Sequence, residues 1–261
     1  MKKLLLFASV FVLLMLLACG RDQSIRLVTT TSVENSGLLS YLTPHFEEET
    51  GFEVDVIAKG TGAAIKTAED GQADVLLVHD REKELAFMDA GYGEKRHELM
   101  YNHFVFLGPE PLDHDGTLSS FLNEIHGQEP FISRGDESGT HAKEKFLWEE
   151  AGLSVSTEDD WYDESGQGME STLSMATLKG YYTLSDRGTY LSMKDTLDLE
   201  PVYEDDDTLL NPYGVIKVSG SLHNRDTDGA EAFYQWIVSG EAKALIADYK
   251  VDGETLFYPY D

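Results

Sequence analysis

Phe131-Ile132-Ser133-Arg134-Gly135-Asp136-Glu137-Ser138-Gly139-Thr140-His141 sets the reading of the rest of the chain. A short apolar run ends at Arg134, a Gly-Asp turn follows, and Ser138-Gly139-Thr140 opens a helix that the pattern carries to about Glu150. One guanidinium thus stands beside two hydroxyls and the free N–H groups of a helix start. Such a donor set suits a multivalent oxyanion. The same residues also support a purely structural reading, with Ser138 capping the helix and Arg134 paired to Asp136 or Glu137.

The pattern recurs toward the N-terminus. Ile25 to Val28 reads as a strand that runs into Thr29-Thr30-Thr31-Ser32. A helix follows from about Ser36 to Glu49, on the spacing of Leu38, Leu39, Leu42 and Phe46. Phe52 to Ala58 alternates as a strand, Gly60-Thr61-Gly62 opens a helix ending near Gly71, Val75 to Val78 is a strand, and Arg81 starts a helix to about Ala90. This alternation predicts an α/β chain with parallel sheet, helices on its faces, and ligand sites where strands pass into helices. Three such junctions compete for one ligand: 29–32, 60–62 and 134–140.

Tyr101 to Leu107 is strongly apolar, and its expected strand partner, Tyr213 to Val218, is far away in sequence. Between them the pattern gives helices at 117–125, 139–150, 168–179 and near 186–193, with strands at 130–133, 181–184 and near 198–203. Residues 108–207 are therefore expected to form an α/β lobe inserted into another made of 24–107 and 208–261. A helix is expected over 229–247, and Glu204 to Asp207 reads as a solvated turn.

Lys2 and Lys3 precede an apolar run from Leu4 to Leu17, the pattern of an export signal over 1–18. Leu16-Leu17-Ala18-Cys19 looks like the bacterial lipobox, which implies cleavage before Cys19, lipid on its thiol, and a tether over 19–24. Cys19 is the single cysteine of the chain. The expected location is extracytoplasmic, lipid-anchored to the bacterial cell membrane. With 48 acidic against 20 basic side chains the formal charge is −28. That surface disfavours nucleic acid and anionic lipid as partners, and makes any anion site a local arrangement.

Several chemistries lack their residues. Gly60-Thr61-Gly62 has Ile65 where the dinucleotide fingerprint needs its third glycine, and Ile65 also stands before Lys66-Thr67 where a phosphate loop needs glycine, so neither motif is complete. The eight histidines form no His-Glu-x-x-His, so no metal site is expected, and no cofactor. His79 and His141 read as structural or exposed. Gly-x-Ser-x-Gly is absent, which leaves a Ser138-dependent hydrolase or transferase as the rival from another class.

Certain stretches go further. Thr29-Thr30-Thr31-Ser32, Ser36-Gly37-Leu38-Leu39, Gly60-Thr61-Gly62, Ala73-Asp74-Val75-Leu76-Leu77-Val78-His79, Ser133 to His141, Trp161-Tyr162, Gly166-Gln167-Gly168-Met169 and Asn211-Pro212-Tyr213-Gly214 resemble the tungstate-binding proteins of bacterial ABC importers. The resemblance covers nearly all of the chain after Cys19. It implies a two-lobed type II periplasmic-binding-protein-like fold with the ligand in the interlobe cleft. It implies a non-enzymatic receptor, with tungstate or a related oxyanion as ligand and an ABC permease as partner. By that resemblance Thr30, Thr31, Ser32, Thr61, Arg134, Ser138 and Thr140 contact the oxyanion, and metal enters only as that oxyanion. The Arg and Ser-Gly-Thr part is shared with phosphate-binding relatives, so molybdate and phosphate are the rivals within the class. One position departs from the family pattern: His103 follows Tyr101-Asn102 where the family has Asp.

Overall fold

The structure, a computed structural model, describes residues 24–204, 207–220 and 227–261. The expected signal peptide, Cys19 and the tether up to residue 23 lie outside the described residues, as do positions 205 and 206 of the acidic turn.

Strand β1 (Ser24–Thr30) is flanked in parallel by β2 (Glu53–Lys59) and β3 (Val75–Val78). Helices α1 (Thr31–Asn35), α2 (Leu38–Thr50) and α3 (Thr61–Glu69) make the crossovers, and α4 (Arg81–Asp89) follows β3. The long strand β4 (Gly93–Gly108) comes next. After it come α5 (Leu118–Ile125), β5 (Phe131–Ser133), α6 (Gly139–Glu150), β6 (Tyr162–Glu164) and α7 (Met169–Lys179). The chain continues through β7 (Thr183–Asp186), α8 (Arg187–Met193), β8 (Glu200–Tyr203), β9 (Leu210–Val218), α9 (Asp228–Ile237) and α10 (Gly240–Asp248). It ends with the short strands β10 (Lys250–Val251), β11 (Glu254–Thr255) and β12 (Tyr258–Pro259).

The expected long-range partners meet: β9 pairs antiparallel with β4 on one side and with β3 on the other. The sheet order is β12-β4-β9-β3-β1-β2. The far end of β4 leaves this order and pairs with β7 through Phe104 to Leu107 and with β8 through Phe106 to Gly108.

Alternation along the strands divides the core by face. Leu27, Val75, Leu77 and Val215 pack on α2 and α9 through Leu39, Leu42, Phe46, Phe233 and Ile237. The intervening Val28, Leu76, Val78 and Ile216 pack on α3 and α4 through Ala64, Ala68 and Phe87. Past His103 the same strand feeds two other cores. Phe104 and Phe106 join Phe121, Phe131, Trp148 and Tyr162, while Val105 and Leu107 join Ile132, Leu173 and Ala176. A residue pair of β4 on either side of His103 thus belongs to different pairs of cores, tied by one continuous strand.

Two local expectations change. The helix expected from about Ser36 is preceded by another: β1 continues to Thr30, whose side chain caps α1 by accepting the Val33 N–H, and Gly37 at φ 77 separates α1 from α2. The helix expected over 229–247 is two, because Ser239 leaves helical geometry and caps α10 through the Ala242 N–H. Strand β6 and the C-terminal strands carry too few residues to show a period.

Candidate functional site

Arg134 follows β5, and its backbone is clamped before its side chain is considered. Its carbonyl accepts the Gly166 N–H at 2.9 Å and the Ser165 hydroxyl at 3.1 Å, while the Ser133 carbonyl accepts Ser165 N–H at 2.9 Å. Gly135 takes φ 60, and a Cβ there would stand 2.6 Å from the Glu164 Cβ, so the turn under Arg134 requires glycine. Glu137 also takes a positive φ, 57°. The Ser138 hydroxyl caps α6 by accepting the His141 N–H at 3.3 Å, and the Ser138 N–H donates to Asp136 Oδ1 at 3.2 Å.

The guanidinium donates from Nη2 to Asp136 Oδ2 at 2.5 Å. Burial opposes ionisation of Asp136, but Ser138 and Arg134 outweigh it and hold the carboxyl below its ordinary value. Both contacts of the structural reading are therefore present. They do not exhaust the arginine: its Nε is buried without an acceptor. An unpaired buried donor of this kind is costly unless something fills it.

A cavity of about 190 Å³ lies against that side chain. Thr31 and Ser32 at the start of α1 form one wall. Gly168, Met169 and Ser171 at the start of α7 form another, and Thr189 of α8 closes it. Gly168 offers no side-chain cap, so the first N–H groups of α7 have no capping acceptor from it. By contrast α1, α6 and α8 are capped by Thr30, Ser138 and Asp186. Asn35 and Glu170 complete the lining and bind each other, Asn35 Nδ2 donating to Glu170 Oε1 at 2.6 Å.

Of the seven residues singled out by sequence, Thr31, Ser32 and Arg134 line this cavity. Thr30 stands behind, its Oγ1 3.0 Å from Ser32 Oγ. Ser138 and Thr140 are buried at the start of α6, joined to Arg134 through Asp136. Thr61, buried at the start of α3, is not among the lining residues. Sequence reasoning placed Gly166 to Met169 among the family-like stretches but assigned no ligand contact to the start of α7 or to Thr189. Gly166-Gln167-Gly168 before a helix was the available signal, since small residues at a strand-to-helix turn had already picked out the other junctions.

Ser138 is not set up as a nucleophile. Its hydroxyl is engaged with the His141 backbone, while the His141 ring accepts the Glu137 N–H through Nδ1 at 3.1 Å. Among the described residues no group of three or more His, Cys, Asp or Glu could hold a metal ion. No helix among them is long and apolar enough to cross a membrane.

The PBP superfamily domain model matches residues 19–241. A tungstate-binding protein, TupA, from Peptoclostridium acidaminophilum is 46% identical over 246 residues, covering 90% of this chain and 85% of that one. The structure of the tungstate-binding protein TupA of Desulfovibrio alaskensis G20 superposes with a TM-score of 0.80 at 41% identity, over 91% of this chain and 98% of that one. The crystal structure of the tungstate ABC transporter from Geobacter sulfurreducens superposes with a TM-score of 0.81 at 39% identity, over 88% of this chain and 100% of that one.

Proposed function

Because the chain belongs to the PBP superfamily, we propose that it is the substrate-binding component of an ABC importer that captures a tetrahedral oxyanion, tungstate before molybdate or phosphate. The observation that carries this reading is the Nε of Arg134, buried and without an acceptor beside a cavity walled by hydroxyls and an uncapped helix start. An oxyanion there accepts from the guanidinium, from the hydroxyls of Thr31, Ser32 and Ser171, and from the first N–H groups of α7, while the Thr189 hydroxyl is already given to Asp186. Among the described residues Arg134 is the single cation lining the cavity, so charge comes from one residue and the remaining compensation from neutral donors.

The mechanism is binding without chemistry on the ligand. Residues 24–107 with 208–261 act as one lobe and 108–207 as the other, with β4 and β9 as the crossovers. Thr30, Thr31, Ser32 and Thr61 belong to the first lobe, and Arg134, Ser138 and Thr140 to the second. An anion held from both sides favours the closed arrangement, which the permease then opens to take the ligand. Lipid on Cys19 anchors the receptor outside the cytoplasm, and the tether keeps that anchor apart from the fold. The two pairs of cores and the cavity between α1 and α7 support two lobes, with Phe104 to Leu107 at the end of β4 packing in the cores of the second.

A calorimetric titration of the wild type and Arg134→Ala with tungstate tests the proposal. The wild type is expected to saturate at one anion per chain and the variant to lose most of the affinity. Equal affinity in the two proteins would end the mechanism.

A further inference from the structure

Glu144 sits on α6 at 1% exposure, and the receptor mechanism gives it nothing to do. Its Oε1 accepts from the Tyr162 hydroxyl at 2.7 Å and from Trp148 Nε1 at 3.2 Å, with the Ser133 hydroxyl alongside. These three partners stand on β6, α6 and β5. Ser133 Oγ in turn accepts the Gly135 N–H at 3.2 Å, so the carboxyl is two contacts away from the turn that carries Arg134. One helical turn back along α6 is Thr140. A buried carboxyl with only neutral donors around it is a poor choice for packing alone, because an apolar side chain would fill the space without desolvating a charge.

Resting on the oxyanion reading above, we propose that Glu144 is a positioning residue for that site: as the neutral acid it fastens β5, β6 and α6 together and fixes where Arg134 and the start of α6 stand. Burial is the main cause that pushes this carboxyl up to about 7, against the pull of its hydrogen-bond donors. Above that pH a negative charge appears behind the anion-binding turn. Ionisation of Glu144 and occupancy by a dianion then oppose each other, and binding takes up protons. The groups facing Glu144 or its turn are Tyr162 and Glu164 on β6, His141 on α6, and Arg134 and Asp136. Burial keeps His141 below its ordinary value, Tyr162 is pushed far up, and Asp136 is held down, so none of these three is moved into the neutral window.

The test is calorimetric titration of the full chain with sodium tungstate between about pH 6.5 and about pH 8.5, for the wild type, Glu144→Gln and Glu144→Leu. The wild type should lose affinity several-fold as pH rises, with a heat that depends on the buffer's ionisation enthalpy. Glu144→Gln keeps an acceptor for Tyr162 and Trp148, and should bind like the low-pH wild type with no slope. Glu144→Leu leaves the Tyr162 hydroxyl and the Trp148 N–H without their acceptor, and should melt below the wild type and lose about tenfold in affinity at every pH, through a misplaced turn. A wild-type slope in Glu144→Gln, or wild-type affinity in Glu144→Leu, would overturn the proposal while leaving the receptor intact. A wild type that takes up no oxyanion would remove the receptor reading and this one with it.

Discussion

Arg134 is only partly spent within the fold. Nη2 is spent on Asp136, while Nε is buried with no acceptor. Loss of a charge-assisted hydrogen bond costs about 1.5–3 kcal/mol, and leaving the anion unpaired adds a comparable amount, so Arg134→Ala should lose about 3–5 kcal/mol of binding, or two to four decades. Asp136 keeps the Ser138 N–H, and the melting point should fall little. Arg134→Lys should recover part of the affinity, because an ammonium serves Asp136 or the ligand but lacks the planar fork. Paired melting and titration of the two variants check this. A large drop in melting point with normal tungstate binding would assign Arg134 to the fold instead.

At the scale of elements, the start of α7 decides more than its sequence announces. Gly168 has φ −65 and ψ 164, and a Cβ added there meets nothing within 4 Å, so any residue fits. Gly168→Asp places a carboxylate over the N–H groups assigned to the ligand. The variant should gain about 0.5–1 kcal/mol in stability from the new cap and the lost glycine freedom. It should bind tungstate at least about tenfold more weakly, which melting and titration would show together. Unchanged affinity would remove α7 from the site. A second element-scale prediction follows from Glu144, whose carboxyl stands at about 7 against 4.5 for the ordinary group. The folded protein holds that proton more tightly than the unfolded chain does. Stability is therefore lost as pH rises from about 4.5 to about 7, on the order of 3 kcal/mol in all, and Glu144→Gln should flatten this part of the curve. Denaturant melts at three pH values would measure it.

The same scale shows what could be read in advance. Strands β1, β3 and β9 and the helices over 81–89, 139–150 and 169–179 were legible because each has a full apolar period or a cap. Arg134 and the hydroxyls of Thr31 and Ser32 were legible because hydroxyl and guanidinium cluster at strand ends. Which hydroxyls face the cavity was not, since Thr30 and Ser138 spend theirs on caps, and only backbone direction separates Thr30 from Thr31. Thr189 was missed because its surroundings read as an ordinary capped helix, with Asp186 accepting the Thr189 hydroxyl at 2.7 Å.

For the whole molecule, a formal charge of −28 opposes the arrival of a dianion. The repulsion is long-ranged and screened by salt, with a Debye length of about 30 Å at 0.01 M and about 8 Å at 0.15 M. The association rate for tungstate should therefore rise with added sodium chloride, the reverse of electrostatic steering, while dissociation changes little. Stopped-flow intrinsic fluorescence over that salt range checks it, and a rate that falls with salt would mean that a positive funnel guides the ligand.

In the proposed receptor one cavity, with one arginine, selects an oxyanion. Titration of the purified chain with tungstate, molybdate, sulfate and phosphate under one buffer tests it most directly. One saturable site is expected, tightest for tungstate and near it for molybdate, with phosphate and sulfate weaker by about a hundredfold or more. No saturable heat with any of the four would rule out an oxyanion receptor, and tightest binding of phosphate would rule out tungstate as its ligand.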